Sequence, residues 1–280
     1  MRVLLVAHPD RPRAEEAVAA ARALLAARGH EAVDVAPDVV IAADGAIDRD
    51  LGPTPGLVVS FGGDGTFLRA ARIARALDAP VVGVNVGRVG FLAGIDPADL
   101  ERDLDVLLAG GGREEPRSTL EARILDADGA PRGELWALNE VAVEKVARQR
   151  LIRLEVSIAG TPFASLAADA LIVATATGST AYALSAGGPI VAPTLDATLV
   201  VPVAPHSLFD RTVVARPGDV VRIDLPRDQD GALVSADGSE PLRLPPGGAA
   251  EIRGGGRPVR VAQVGEPDFF GRVRRTFRLG

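Results

Sequence analysis

Residues 60–67 read Ser60-Phe61-Gly62-Gly63-Asp64-Gly65-Thr66-Phe67, and this stretch decides the fold of the first part of the chain. An apolar run (Leu57, Val58, Val59) precedes it, and an amphipathic one (Phe67, Leu68, Ala71, Ile73, Ala74, Leu77) follows. Strand, glycine turn, helix is the order that sets unpaired backbone N–H groups at a helix N-terminus, where the dipole favours an anion. Gly62, Gly63 and Gly65 are expected to let a bulky ligand approach the backbone and to adopt positive φ. Asp64 stands out, because a carboxylate repels phosphate unless a metal ion or a proton transfer uses it. A plain glycine turn carrying an Asp would read the same way from this stretch alone.

Outward from the turn, strand and helix signals alternate. Arg2–Ala7 reads as a strand, Arg13–Arg28 as an alanine-rich helix closed by Gly29, and Glu31–Val35 as a second strand. A loop with scattered acids (Asp44, Asp48, Asp50) leads to the strand before the turn, and Pro80–Val84 is another buried strand. Asp96-Pro97 reads as N-cap and first residue of a helix ending near Ala109. This rhythm predicts an α/β domain over 1–112 with a doubly wound, mostly parallel sheet covered on both faces. Gly110-Gly111-Gly112 marks the boundary. Beyond it the period shifts towards two, in runs such as Thr119–Leu125, Glu134–Val143, Leu151–Ile158, Leu171–Ala174, Ala197–Val203, Gly231–Ala236 and Val259–Val264. These predict an all-β domain over 113–265. The end, 266–280, contains a short helix (Pro267–Phe277) expected to pack back on the first domain.

Composition bounds the function. The 280 residues carry 47% hydrophobic and 24% charged side chains, ordinary for a globular protein able to bury a core. A net charge of −6 argues against nucleic acid as a partner. No apolar run approaches a membrane span, and Met1 leads straight into a strand pattern, so a cytoplasmic protein with no membrane partner is expected. Cysteine is absent, which removes disulfides, zinc–thiolate sites and thiol catalysis. Lys145 is the sole lysine and lies far from the glycine turn, so no P-loop exists. Bound phosphates must therefore rely on backbone amides, arginines and a metal ion.

Further segments bear on chemistry. Gly83-Val-Asn85-Val-Gly87-Arg88-Val-Gly90-Phe91-Leu92 is a strand running into a second glycine-rich loop, which either shares a crevice with Asp64 or is an ordinary βα turn with Asn85 as a local cap. Asn139-Glu140 interrupts an apolar strand; it suits either the donor and acceptor edges of a nucleoside or a solvated strand edge. From Asp169 to Pro189 a buried strand opens into a loop rich in hydroxyls (Thr175, Thr177, Ser179, Thr180) and glycine, with the only tyrosine, Tyr182. The basic run Lys145, Arg148, Arg150, Arg153 fits a solvated edge, with one arginine able to reach a pyrophosphate. Arg69, one helical turn past Gly65, is placed either to lean on a phosphate or to face solvent. His8, His30 and His206 show no metal-ligand spacing.

Together these segments resemble the NAD kinases, which phosphorylate NAD to NADP. Gly62-Gly-Asp-Gly-Thr66, Gly83-Val-Asn-x-Gly87, Asn139-Glu140, Thr177-Gly-Ser-Thr-Ala-Tyr182, Ala186-Gly-Gly-Pro189, Pro205-His-Ser-Leu208 and Asp237-Gly238 fall in the family's order over nearly the whole chain. The resemblance implies an α/β domain followed by an all-β domain, with the site in the cleft between them. It makes Asp64 the catalytic base and puts Gly62, Gly63, Gly65 and Thr66 at the donor phosphates. NAD would be contacted by Asp64, Gly65, Arg69, Asn139, Glu140, Arg150, Asp169, Thr180, Ala181, Tyr182, Ala183, Leu184, Ser185 and Ala204. It further implies a divalent cation, Mg²⁺, with no side-chain metal ligands assigned, ATP or polyphosphate as donor, and a homodimer or homotetramer. Ala167, Ala168, Ala170, Ala176 and Ser239 depart from the family pattern and bear on the ribose and nicotinamide contacts. Two other readings share the glycine turn: a diacylglycerol-type lipid kinase and a non-catalytic dinucleotide-binding regulator.

Overall fold

The structure is a computed structural model that describes residues 1–39, 41, 42, 46–48, 50–87, 90–147, 149–266 and 268–280. Asp44, Arg88, Arg148 and Pro267 lie outside the described residues. The chain divides into two compact units, Met1–Pro116 with Val259–Gly280, and Arg117–Pro258.

In the first unit, strands numbered in chain order are β1 (Arg2–Ala7), β2 (Glu31–Asp34), β3 (Leu57–Gly62), β4 (Val81–Asn85), β5 (Arg113–Arg117) and the last of the chain, β18 (Val259–Gln263). They form one sheet in the order β2-β1-β3-β4-β18-β5, parallel from β2 through β18. Helices α1 (Pro12–Ala27), α2 (Asp64–Ala76), α3 (Leu100–Leu108) and α5 (Phe269–Phe277) belong to the same unit. Every residue of β3 is buried, as a strand covered on both faces requires. Alternate residues go to opposite sides. Val3, Leu5, Val59 and Phe61 pack with Ala14, Ala21 and Leu25 of α1 and with Leu100 and Leu104 of α3. Leu4, Val6 and Val58 are equally buried on the other face, where α2 lies against β1, β3 and β4. Asp96 caps the turn before α3 as expected, its Oδ1 accepting the Ala98 N–H at 2.9 Å.

The second unit is built of two antiparallel sheets. One runs β10 (Thr161–Ala168), β9 (Ile152–Ile158), β14 (Val221–Asp224), β17 (Ala249–Gly254), β6 (Leu120–Leu125), β7 (Pro131–Ala137). The other runs β13 (Val213–Ala215), β12 (Thr198–Val203), β11 (Ala170–Thr175), β8 (Glu140–Lys145), β15 (Ala232–Ala236), β16 (Leu242–Leu244). The four-residue helix α4 (Tyr182–Ser185) follows β11, and its Ala183 packs with Ala142, Ile172, Ala174, Leu199 and Val201.

Three local features differ from the sequence reading. Glu134–Val143 is not one strand: it breaks at Leu138-Asn139, where backbone N–H groups turn to the Asp237 carboxylate instead of a neighbouring strand. Strands β5, β10, β13 and β16 went unpredicted; the β9–β10 hairpin turns on Ala159-Gly160 (φ 50° and 76°), which lacks the Asn-Gly signature. Val259–Val264 does not join the all-β domain; β18 pairs in parallel with β4, Val261 beside Val81. The division accordingly falls at 116/117 and 258/259 rather than at 112/113 and 265/266.

Candidate active site

In the first unit the chain leaves β1 for β2 on one side and returns as β3 on the other. That reversal opens a crevice at the carboxyl ends of β1 and β3, the place where open parallel sheets bind ligands. The first contact past the strands is there, His8 N–H donating to the Phe61 carbonyl at 3.1 Å. Gly63 is the N-cap of α2 and Asp64 its first residue. None of Gly62, Gly63 or Gly65 has the positive φ expected of them: Gly63 is extended (φ −97°) and the helix starts directly from it. What these glycines provide is space. A β-carbon on Gly62 would meet Thr66 Oγ1 at 2.2 Å, while Gly63 and Gly65 face nothing within 4 Å.

Asp64 is half-buried and held by the loop after β4. Its Oδ2 accepts the Phe91 N–H and its Oδ1 the Leu92 N–H, each at 3.1 Å. The expectation that this loop and Asp64 share a crevice is met by direct hydrogen bonds. Two of the carboxylate's roughly four acceptor positions are used, leaving the others for an incoming hydroxyl. Arg69 does not lean on the glycine turn: its Nη2 donates to the Ala36 carbonyl at 2.5 Å, and burial lowers its pKa.

In the second unit Asn139 and Glu140 are 6% and 8% exposed, which excludes the solvated-edge reading. Asp237, the residue directly after β15, gathers them. Its carboxylate accepts the backbone N–H groups of Leu138 (2.8 Å), Asn139 (2.7 Å) and Glu140 (3.1 Å). Among the described residues, Asn139 Oδ1 and Glu140 Oε2 are buried without a hydrogen-bond partner. Burial and then the nearby Asp237 charge push the Glu140 carboxyl up to about 7, partly offset by a hydrogen bond from the Tyr182 backbone N–H.

The hydroxyl-rich loop serves its own architecture. Thr175 Oγ1 donates to the Leu138 carbonyl (2.6 Å) and accepts the Gly178 N–H (3.0 Å). Ser179 Oγ bonds both ends of Val191, and Thr180 Oγ1 donates to the Thr177 carbonyl at 3.3 Å. Gly178 is obligatory, because a β-carbon there would lie 2.0 Å from the Asn139 carbonyl oxygen. The loop is thereby clamped onto the Asn139-Glu140 pair. Beyond it, Ala181 is the N-cap of α4, Ala183 is buried, and Leu184 and Ser185 complete the helix. Tyr182 is partly exposed, its hydroxyl 3.5 Å from Glu144 Oε1. Asp169 is ion-paired with Lys145. Arg150 is exposed and 3.4 Å from Asp230. Ala204 is exposed and left-handed (φ 46°), a conformation alanine adopts only at a cost.

Sequence reasoning missed Asp237's part in tying down residues 138–140; an Asp-Gly pair after a strand signals a turn, not a three-amide clamp. It also gave Gly90 no role, although a β-carbon there would meet Asp64 Oδ1 at 2.2 Å.

A parallel α/β sheet with a glycine turn and a carboxylate at its switch point, followed by an antiparallel unit with a buried Asn-Glu pair, defines a nucleotide-handling phosphotransferase. The ATP-NAD kinase N-terminal domain matches residues 15–112, and the ATP-NAD kinase C-terminal domain matches residues 138–264. An NAD kinase of Corynebacterium glutamicum is 42% identical over 223 residues, covering 80% of this chain and 77% of the relative. One of Mycolicibacterium paratuberculosis is 38% identical over 294 residues, covering 99% and 95%. Among solved structures, an Archaeoglobus fulgidus NAD kinase in complex with ATP superposes with a TM-score of 0.75 at 27% identity over 98% of this chain and 99% of that one. Yeast NADH kinase complexed with NADH shares the fold, with a TM-score of 0.85 at 23% identity over 100% and 88%. The chain belongs to the NAD kinase family.

Proposed function

We propose that the chain transfers the terminal phosphoryl group of ATP or polyphosphate to the 2′-hydroxyl of the adenosine ribose of NAD, giving NADP. The observation that carries this reading is the Asp64 carboxylate, fixed by two backbone amides at the start of α2 beside glycines that face open space. Family membership disfavours the lipid kinase. A silent dinucleotide-binding regulator would form no NADP.

In the reaction the 2′-oxygen attacks the terminal phosphorus in line, the bond from that phosphorus to its bridging oxygen breaks, and the shortened donor leaves with the electron pair. The transition state is loose, so alignment and charge neutralisation outweigh proton removal. Asp64 accepts a hydrogen bond from the 2′-hydroxyl, orients it, and takes its proton late. The backbone at Gly62, Gly63, Gly65 and Thr66 admits the donor phosphates, and the N–H groups at the start of α2 face their charge. Asn139 Oδ1 and Glu140 Oε2, buried acceptors without donors, hold hydroxyl or amino groups of the nucleoside. We assign Asp169, Arg150, Ala204 and residues Thr180 to Ser185 to the remainder of the dinucleotide. Arg69 acts by holding the loop at Ala36.

The reaction class is generally dependent on a divalent metal. Among the described residues no group of three or more His, Cys, Asp or Glu side chains gathers to cage one. That donor set fits Mg²⁺, which keeps several waters and takes one or two carboxylates plus substrate phosphates. Asp64 is the carboxylate available to it, and bound there the ion would screen charge on the transferring group. We assign the active protein as a cytoplasmic homodimer or homotetramer. The reading is tested by incubating protein with NAD, Mg²⁺ and either ATP or polyphosphate and measuring NADP. NADP formed by neither donor contradicts it.

A further inference from the structure

The glycine turn has no lysine, and Arg69 is committed to Ala36, so the cation that meets the donor phosphates has to come from elsewhere. Arg11 stands in the loop after β1 and is exposed. Among the described residues its guanidinium makes no hydrogen bond or ion pair. Its reach is recorded by Gly87, in the loop after β4: a β-carbon on Gly87 would lie 2.7 Å from Arg11 Nη1. Strand β3 lies between β1 and β4 in the sheet, and Gly62 at its end is in register with Asn85 of β4. Neighbouring strands are about 4.8 Å apart, so a side chain that starts after β1 and arrives beside Gly87 spans the carboxyl end of β3. That end is the glycine turn.

The geometry points to Arg11 as the residue that binds the phosphates of the phosphoryl donor. A guanidinium presents several N–H donors in a planar fork suited to two phosphate oxygens at once. Lying across the carboxyl end of β3, it would bracket a phosphate chain between its charge and the backbone amides of the glycine turn. Gly87 has a matching role: it leaves the room in which the guanidinium lies. The sequence gives Arg11 no signal, since the motif that fixes its neighbours lies some fifty residues or more away.

This inference rests on the kinase reading and is tested so that the two can fail separately. MgATP, and in a second arm inorganic tripolyphosphate with Mg²⁺, is titrated calorimetrically into wild type, Arg11→Ala, Arg11→Lys and Gly87→Ala, with NADP formation measured in parallel. Loss of a charge-assisted contact should weaken donor binding about tenfold to a hundredfold in Arg11→Ala. Both arms should fall together, because the contact reads phosphate rather than base, and the KM for NAD should stay within about twofold. Gly87→Ala should reproduce the effect with Arg11 still present, since the new methyl displaces only a flexible side-chain end. Arg11→Lys should recover part of the loss, as charge without the fork. Unchanged donor affinity in both Arg11→Ala and Gly87→Ala overturns the inference, even where wild type forms NADP. A wild type that forms no NADP refutes the kinase reading, while the titrations still decide whether Arg11 holds phosphate.

Discussion

Gly90 makes room for Asp64: a β-carbon on Gly90 would stand 2.2 Å from the Asp64 carboxylate oxygen that accepts the Leu92 N–H. The acid is thus positioned by a residue 26 places away that contributes no functional group, and its orientation is a property of the loop.

Gly90→Ala should therefore act on the chemistry rather than the fold. The added methyl must displace the carboxylate from the Phe91 and Leu92 amides, because two atoms cannot share that space. Misplacing a reacting group by about 1 Å commonly costs on the order of a hundredfold in rate. Turnover should fall by that order while thermal stability changes little, measured by steady-state kinetics beside a melting curve. A variant with wild-type turnover would show that the Asp64 orientation is not set by this contact.

Glu140 should make stability fall as pH rises. Its carboxyl is pushed up to about 7 in the folded chain against an ordinary 4.5, so between these the folded state holds a proton that the unfolded state has released. The proton count then favours folding at low pH, and the benefit is lost through the folded pKa. A shift of that size corresponds to an upper bound on the order of 3 kcal/mol. Denaturant midpoints of wild type and Glu140→Gln, compared from about pH 5 to pH 8, should diverge, with the variant the flatter of the two.

Asp237 links that titration to the backbone. Asp237→Asn keeps the left-handed backbone at φ 49°, which asparagine tolerates, but offers one acceptor oxygen where three N–H groups now meet a carboxylate. Stability should drop by about 2 kcal/mol, the scale of a lost hydrogen bond to a charged group. Removing the negative charge should also move the Glu140 titration downward, since Asp237 helps push it up. Chemical denaturation as a function of pH reads both effects, and the KM for NAD should rise because residues 138–140 lose their anchor.

The first unit's architecture was legible because its signals are local. Continuous apolar strands, the helix after the glycine turn and the Asp96 cap all depend on residues within a few positions of one another. What stayed hidden depends on contacts distant in sequence. β18 carries a strand pattern that says nothing of which sheet it joins, and it pairs with β4 across some 180 residues. The break at Leu138-Asn139 is made by a carboxylate nearly a hundred positions later. Among the candidate residues, Asp64 stood out by its type within the glycine turn, whereas Asn139-Glu140 read equally as a solvated edge until their burial was seen. Their immediate surroundings, the Phe91 and Leu92 amides and the Gly178 approach, could not be read before the loops were placed. The hydroxyl cluster between Thr175 and Thr180 was visible in the sequence, but not its internal partners: Thr175 bonds the Leu138 carbonyl and the Gly178 N–H, and Thr180 the Thr177 carbonyl.

The central claim is that Asp64 helps convert a ribose hydroxyl into a phosphoester. Wild type and Asp64→Asn, confirmed to melt alike, are assayed side by side for NADP from NAD, Mg²⁺ and whichever donor wild type accepts. The asparagine keeps the size but cannot take the proton, and its amide nitrogen can no longer accept one of the Phe91 and Leu92 N–H groups, so turnover should fall at least roughly 10²–10⁴-fold with NAD affinity nearly intact. NADP formation at the wild-type rate by the asparagine variant would contradict the account.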